Sequence, residues 1–448
     1  MPGLDAPLPT LGQAAWVWLR MGLLSFGGPA GQIALLHREV VDERRWIGER
    51  RFLHALSFCT VLPGPEAMQL ATYLGWLMHG AAGGLVAGGL FILPGACVLL
   101  GLSVIYAQLG AMPLVAAVFL GLKCAVLAIV AQAVLRVGRR ALKTRASWVV
   151  AAVAFVALFA LAVPFPAIIL AAGFVGFLAP GSFRAAGHGV AGDAPDGLID
   201  RVLRDDPGRP ARQARGARRA GLLCAAAWLL TNLWFLAGRA GTYGDIAWFF
   251  SKMAVVTFGG AYAVLAYVAQ GAVGTYHWLA PAEMLTGLGL AETTPGPLIL
   301  VLQFVGFLAG ARSTGAVHGL AGGVAGSALT LWVTFLPCFA FVFLGAPVVE
   351  RLAENRALGA ALAAVTAAVV GVIANLAVWF GLHVLFRQTV AVQAWPVRCD
   401  VPVLSSVDWV ALALAALGAG CLFRLRLPVP AVLGLAAGAS LGWTLLAG

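Results

Sequence analysis

An all-α chain that crosses a lipid bilayer many times is the fold this sequence predicts, and three observations predict it. Hydrophobic residues fill 61% of the 448 positions and charged residues only 10%, which leaves too little polar surface to enclose a soluble core. Apolar segments of membrane-crossing length, roughly 17–25 residues, recur from end to end, and stretches such as 151–163 are apolar on every side, as lipid-facing helices are. Helix-breaking motifs also recur at matched places in two halves of the chain.

The first half offers six apolar segments, at about 11–35, 53–78, 85–109, 113–135, 147–163 and 164–180. The second offers six more, at about 246–268, 283–308, 315–345, 358–385, 407–423 and 428–447, and one further segment, 220–238, joins the halves. Phe26-Gly27-Gly28 returns as Phe258-Gly259-Gly260, an offset of 232 residues (26 to 258). The same offset carries Pro63-Gly64-Pro65 onto Pro295-Gly296-Pro297, Trp46 onto Trp278 and Arg20 onto Lys252. Beyond the PGP motifs the offset grows to 243, pairing Pro94 with Pro337 and Gln132 with Asn375, so the second half has gained about eleven residues there. An even number of segments followed by one odd crossing turns the second half upside down relative to the first, the inverted-repeat plan of secondary transporters.

Loop charge sets the expected orientation. Arg136, Arg139, Arg140, Lys143 and Arg145 cluster without an acid, and the long polar stretch 181–219 carries eight arginines; both are expected on the cytoplasmic face. The resulting division is an N-terminal membrane repeat (1–180), a basic cytoplasmic loop (181–219), a linker helix (220–238) and a C-terminal inverted repeat (239–448), with a cytoplasmic N-terminus in the plasma membrane. The segment His37–Phe52 fits only if the FGG and PGP stretches are re-entrant hairpins, since full spans would place its arginines outside. Its counterpart, Val268–Pro281, holds no Asp, Glu, Lys or Arg, an asymmetry that inversion predicts.

Breaking a membrane helix leaves backbone N–H and C=O groups that only protein or a water-lined cavity can satisfy, so the breaks mark the expected substrate site. Gly27, Gly28, Gly259 and Gly260 permit positive φ and close approach, while Pro63, Gly64, Pro295 and Gly296 interrupt a helix and open the next. The N-terminus so exposed carries partial positive charge and binds anions. Arg20 and Lys252 each precede an FGG motif by six residues and read as a cationic pair near the breaks, or as side chains snorkelling to the headgroups. Lys123, deep in the fourth segment, reads as an anion contact or a structural partner, and Gln69 as a neutral donor. Glu66 and Glu292 flank the two PGP motifs and are proton-coupling candidates, because a desolvated carboxyl can be moved toward neutral pKa values. Each equally fits a helix-terminal charge.

Other classes find less support. The first apolar stretch lacks a basic leader and is read as retained structure. Seven cysteines form no CxxC, and the histidines form no HxxxH or HExxH cluster, so neither a metal site nor a cofactor is expected. No facing carboxylates with a histidine point to catalysis, and the chain is read as not an enzyme, with no catalytic residues. The net charge of +11 falls in short loops between apolar runs, which argues against nucleic acid.

The stretches "SFGGPAGQI" (25–33), "HREVVDERRWI" (37–47), "LPGPEAMQLATYLGW" (62–76), "TFGGAYAVL" (257–265) and "TTPGPLIL" (293–300) resemble the chromate ion transporter family. The likeness runs through both halves, as in its long-chain, two-domain form. The resemblance implies a secondary transporter that exports chromate from the cytoplasm and confers chromate resistance, driven by an ion gradient and with sulfate as a competitor; it does not fix the coupling ion, for which protons and sulfate are both open. A tetrahedral dianion suits convergent N–H groups and one or two cations. A sulfate or organic-anion carrier and an anion channel stand as alternatives, and a homodimer is left open.

Overall fold

In a computed structural model, the described residues are 8–26, 28–183, 196–238, 241–258, 261–346, 356–394 and 397–447. They are overwhelmingly helical, as expected of an all-α membrane protein, and six helices are long and apolar enough to cross a bilayer. One element is not helical: strands β1 (Thr389–Ala394) and β2 (Val397–Pro402) form an antiparallel hairpin, which the hydropathy pattern did not foretell.

The first apolar run is not one helix but two. Helix α1 (Leu11–Leu24) stops at Ser25, and α2 (Gly28–His37) starts on a glycine at φ +71°, a left-handed conformation that a side chain resists. Fourteen residues at 1.5 Å each give α1 about 21 Å, short of a hydrocarbon core of about 30 Å. A π-helical turn (Arg38–Glu43) then leads to a tip at 44–48, where Trp46 lies 6.2 Å from Trp18 of α1. The chain has doubled back along α1. It enters again as α3 (Glu49–Val61), breaks at 62–65, and returns as the first part of α4 (Glu66–Leu109).

Helix α4 itself reverses at His79 and Gly80, whose φ/ψ are not helical. Gly75 lies against the Gly83 carbonyl, and Gly88 against Thr72 Oγ1, contacts that a straight helix would hold far apart. Small residues allow the two arms this approach.

The second half repeats these features at the offset read from the sequence. Helix α10 (Gly241–Val256), α11 (Ala261–Ala269) with a π-helical turn (Gln270–Thr275), α12 (Pro281–Thr293), α13 (Val301–Ala311) and α14 (Gly319–Gly345) follow in the same order. Arg45 and His277 share a positive φ of 52°, and Gly64 and Gly296 are both at strongly positive φ. The arms of α13 and α14 close on Gly306, Gly310, Gly322 and Gly326, joined by a longer turn at 312–318 that takes up part of the added residues.

The two tips are held differently. The first is clasped by α8 (Leu198–Asp205): Leu198 and Ile199 N–H donate to the carbonyls of Arg45 and Trp46, and Asp200 accepts from Gly48 N–H at 2.6 Å and Arg51 Nε at 2.5 Å. This puts 37–52 on the same face as the described part of the basic loop. The second tip carries no charge of its own; Tyr276 and Trp278 stack at 4.5 Å against Phe249, and Arg312 Nη1 donates to the Trp278 carbonyl at 2.8 Å. Helix α6 (Arg145–Phe159) runs in the same direction as α15 (Arg356–Leu385), since Ala146 clusters with Ala360 and Ala364 while Gly371 meets Ala151 and Phe155. Arg145 and Phe159 therefore mark opposite faces of the molecule.

Substituting Gly75→Leu or Gly306→Leu should force the arms of these hairpins apart, at a cost of about 1–3 kcal/mol or more each. Thermal unfolding of the detergent-purified protein should show a lowered Tm for both, whereas Gly89→Leu, where added atoms meet open space, should leave it unchanged.

Candidate functional site

The four breaks do not sit apart; each break of one half is bonded to a break of the other. Gly64 N–H donates to the Thr257 carbonyl at 3.0 Å, and Gly296 N–H donates to the Ser25 carbonyl at 2.8 Å. Residues 64 and 296 correspond in the repeat, and so do 25 and 257, so the two bonds are one contact made twice. Reciprocity of this kind is what a two-fold relation produces. The PGP motif of each half thus meets the FGG region of the other, and a new helix starts after every break. Helix α4 begins beside the first bond and α2 beside the second.

Packing at the crossing leaves no room for larger residues. A Cβ on Gly64 would lie 2.7 Å from Gln69 Nε2 and 2.8 Å from Cys338 Sγ, and one on Gly95 would strike the Pro295 carbonyl. Gly95 and Cys338 follow the matched prolines Pro94 and Pro337, so each half presses its long helix on the other's PGP motif. Gln69 Nε2 donates to the Pro63 carbonyl at 2.7 Å, Gln32 Nε2 to the Gly296 carbonyl at 2.5 Å, and Gln303 Nε2 to the Ala96 carbonyl at 2.9 Å. Ser25 Oγ, Gln69 Oε1, Gln303 Oε1 and Thr334 Oγ1 are buried without a hydrogen-bond partner. Leaving such atoms unpaired is costly, and here they gather around the breaks.

The candidate residues read from the sequence divide by location. Pro63, Gly64, Gln69, Pro295 and Gly296 lie at the crossing, and Gly28 opens α2 beside it. Gly27, Gly259 and Gly260 lie outside the described residues. Arg20 and Lys252 are exposed on the flanks of α1 and α10, and Lys252 Nζ sits 5.3 Å from the Trp248 ring centroid. Lys123, on α5 (Pro113–Ala141), is half-buried within electrostatic reach of Glu283, which is itself held by Arg312 at 2.6 Å and by Tyr106. Glu66 is in the first turn of α4, with Arg140 acting on it through space. Glu292 is 6% exposed and accepts a 2.6 Å hydrogen bond from Tyr262.

Sequence reasoning missed Ser25, Thr257, Gln32, Gly95, Cys338 and Tyr262. Ser25 and Thr257 adjoin the FGG motifs at the repeat offset, a signal that was available. Gln32 and Tyr262 have no counterpart in the other half, so the repeat could not reveal them.

A family model described as chromate transporter matches residues 12–177 and 244–443. The chain is 35% identical over 357 residues to a chromate transport protein of Pseudomonas aeruginosa, covering 80% of this chain and 77% of that one. It is 28% identical over 375 residues to a chromate transport protein of Cupriavidus metallidurans, with 83% of each covered, and 26% identical over 380 residues to a probable chromate transport protein of Synechococcus elongatus, with 84% and 86% covered. No solved structure matches. Two matched regions, one per half and each containing its own pair of breaks, make this chain a two-domain member of the chromate transporter family.

Proposed function

We propose that the protein exports chromate from the cytoplasm as a secondary transporter, binding the dianion between its two halves where the broken helices cross. The reciprocal bonding of Gly64 to Thr257 and of Gly296 to Ser25 carries this reading. Helix N-termini and the unpaired Ser25 and Thr334 hydroxyls near those bonds supply donors and the partial positive charge that an oxyanion needs. The domains are 1–180 and 239–448, inverted relative to each other, with 181–219 cytoplasmic and 220–238 crossing between them. The four broken pieces are re-entrant, α1–α2 and α3–α4 from the cytoplasm and their counterparts from outside. The docking of α8 on the first tip, and the lack of charge in the second, support this arrangement.

Alternating access then consists of loosening one half of the crossing while the other holds, so that the anion is reached from one face at a time. Arg20 and Lys252 draw anions toward the breaks from the flanks of α1 and α10, and Lys123 adds a third cation deeper in the membrane. Expelling a dianion from a negative interior is favoured by about 2.3 kcal/mol per charge per 100 mV, so a proton gradient adds to the drive without being indispensable. Glu66 and Glu292 are the carboxyls that would carry the proton.

Everted membrane vesicles should accumulate labelled chromate, with sulfate competing and collapse of the gradient slowing uptake; absence of uptake would refute export, and uptake of sulfate alone would make the protein a sulfate carrier. Gly64→Ala and Gly296→Ala, each adding a Cβ at positive φ and into a filled space, should each lower the initial rate by about tenfold or more, equivalent to about 1.4 kcal/mol, at normal membrane abundance. Arg20→Ala and Lys252→Ala should each raise the chromate concentration needed for half-maximal uptake several-fold, an effect that shrinks at high salt.

A further inference from the structure

A cavity of about 400 Å³ lies between the end of α6 in the first half and α11 and α15 of the second, away from the crossing. Phe159 at the end of α6, Gln270 after α11, Asn375 and His383 of α15 and Asp400 of β2 line it. It opens on the face opposite the basic turn that holds Arg145, because α6 and α15 run side by side and contribute their far ends. Glu292 does not line it; the link between them is α11. Ala266, Ala269 and Gln270 line the cavity, and Tyr262 lies one helical turn deeper on the same face of α11, four residues before Ala266. The Tyr262 hydroxyl ends that stripe on the Glu292 carboxyl, at 2.6 Å.

The lining chemistry chooses between an anion and a proton. Asp400 and His383, 3.9 Å apart, are the ionisable groups of the wall among the described residues, and no Lys or Arg is among its described lining residues. Such a wall repels a dianion and attracts cations. Gln270, Asn375, His383 and Asp400 give ordered water the several polar partners it requires. At the inner end, no cation among the described residues comes within ion-pair distance of Glu292. The groups that act on it are Tyr262 from α11 and, through space, Arg136 from α5. The other helices packed on α12 contribute Lys123 of α5, Glu66 and Tyr106 of α4, and His383 of α15, while α17 (Val429–Ala447) has no ionisable residue. Glu283, at the far end of α12, is held by Arg312 and Tyr106.

We infer that this cavity is the outer proton entry of the transporter, and that water in it loads Glu292 through the Tyr262 hydroxyl. In the step, Tyr262 gives its proton to the ionised Glu292 Oε1 and takes one from a hydronium ion formed in the cavity water, which is left as neutral water; one proton moves inward and nothing is oxidised or reduced. This rests on the export reading and assigns its coupling route.

In everted vesicles the lumen corresponds to the outer face, so chromate uptake should be several-fold faster with an acidic lumen than with a neutral one. Ala266→Trp, which plugs the cavity, Tyr262→Phe, which keeps the ring and removes the hydroxyl, and Glu292→Gln should each lose that acceleration. Gln270→Cys should react with a membrane-impermeant thiol reagent added outside intact cells. Full acceleration by luminal acid in Tyr262→Phe or Glu292→Gln, or reaction of Gln270→Cys only in everted vesicles, would overturn the inference. Wild-type vesicles that take up chromate equally at both luminal pH values would sink the proton route alone, whereas vesicles that take up none would sink the export reading itself.

Discussion

Unpaired backbone has no water to turn to inside a bilayer, and this constraint governs the molecule. Four helices are interrupted by Gly and Pro, and each interruption leaves amide and carbonyl groups that its own half does not satisfy. The solution is exchange: Gly64 bonds to Thr257, and Gly296 to Ser25. Neither half is complete without the other. Around these bonds the halves are packed closely on each other, with α5 and α6 of the first against α12 and α15 of the second and α4 against α14.

The repeat gives the two halves one backbone plan and leaves their side chains free to differ. The first tip is bound to α8 by backbone contacts and by Arg51 on Asp200, and is tied to its own π-helical turn by Arg44 on Glu39. The second is bound by stacked rings, Phe249, Tyr276 and Trp278. Gln32, Gln69 and Gln303 crowd the crossing unevenly, and Glu292 has a tyrosine partner that Glu66 lacks.

Much of this was legible in the residues alone. The apolar segments correspond to the helices observed, and the FGG and PGP motifs mark where helices stop, because Gly and Pro act locally on φ and on the N–H supply. The same offset of 232 relates Arg45 to His277, which the structure shows to share a positive φ. Reversal of α4 at His79–Gly80 falls in the gap between the expected segments 53–78 and 85–109. The pairing of Gly64 with Thr257 instead of FGG with FGG, and the approach of Tyr262 to Glu292, depend on how distant segments pack, which spacing along the chain does not encode.

Locking the crossing tests the central claim most directly. Cysteine pairs at Pro65 and Thr257, and at Ser25 and Pro297, should be joined by a short thiol cross-linker in a background without native cysteines. The account predicts that each pair links the two halves, detected after cleavage at a protease site inserted within 184–195, and that linked protein stops moving chromate until the linker is reduced. Linked protein that transports at the full rate, or pairs that never link while transport is normal, would contradict it.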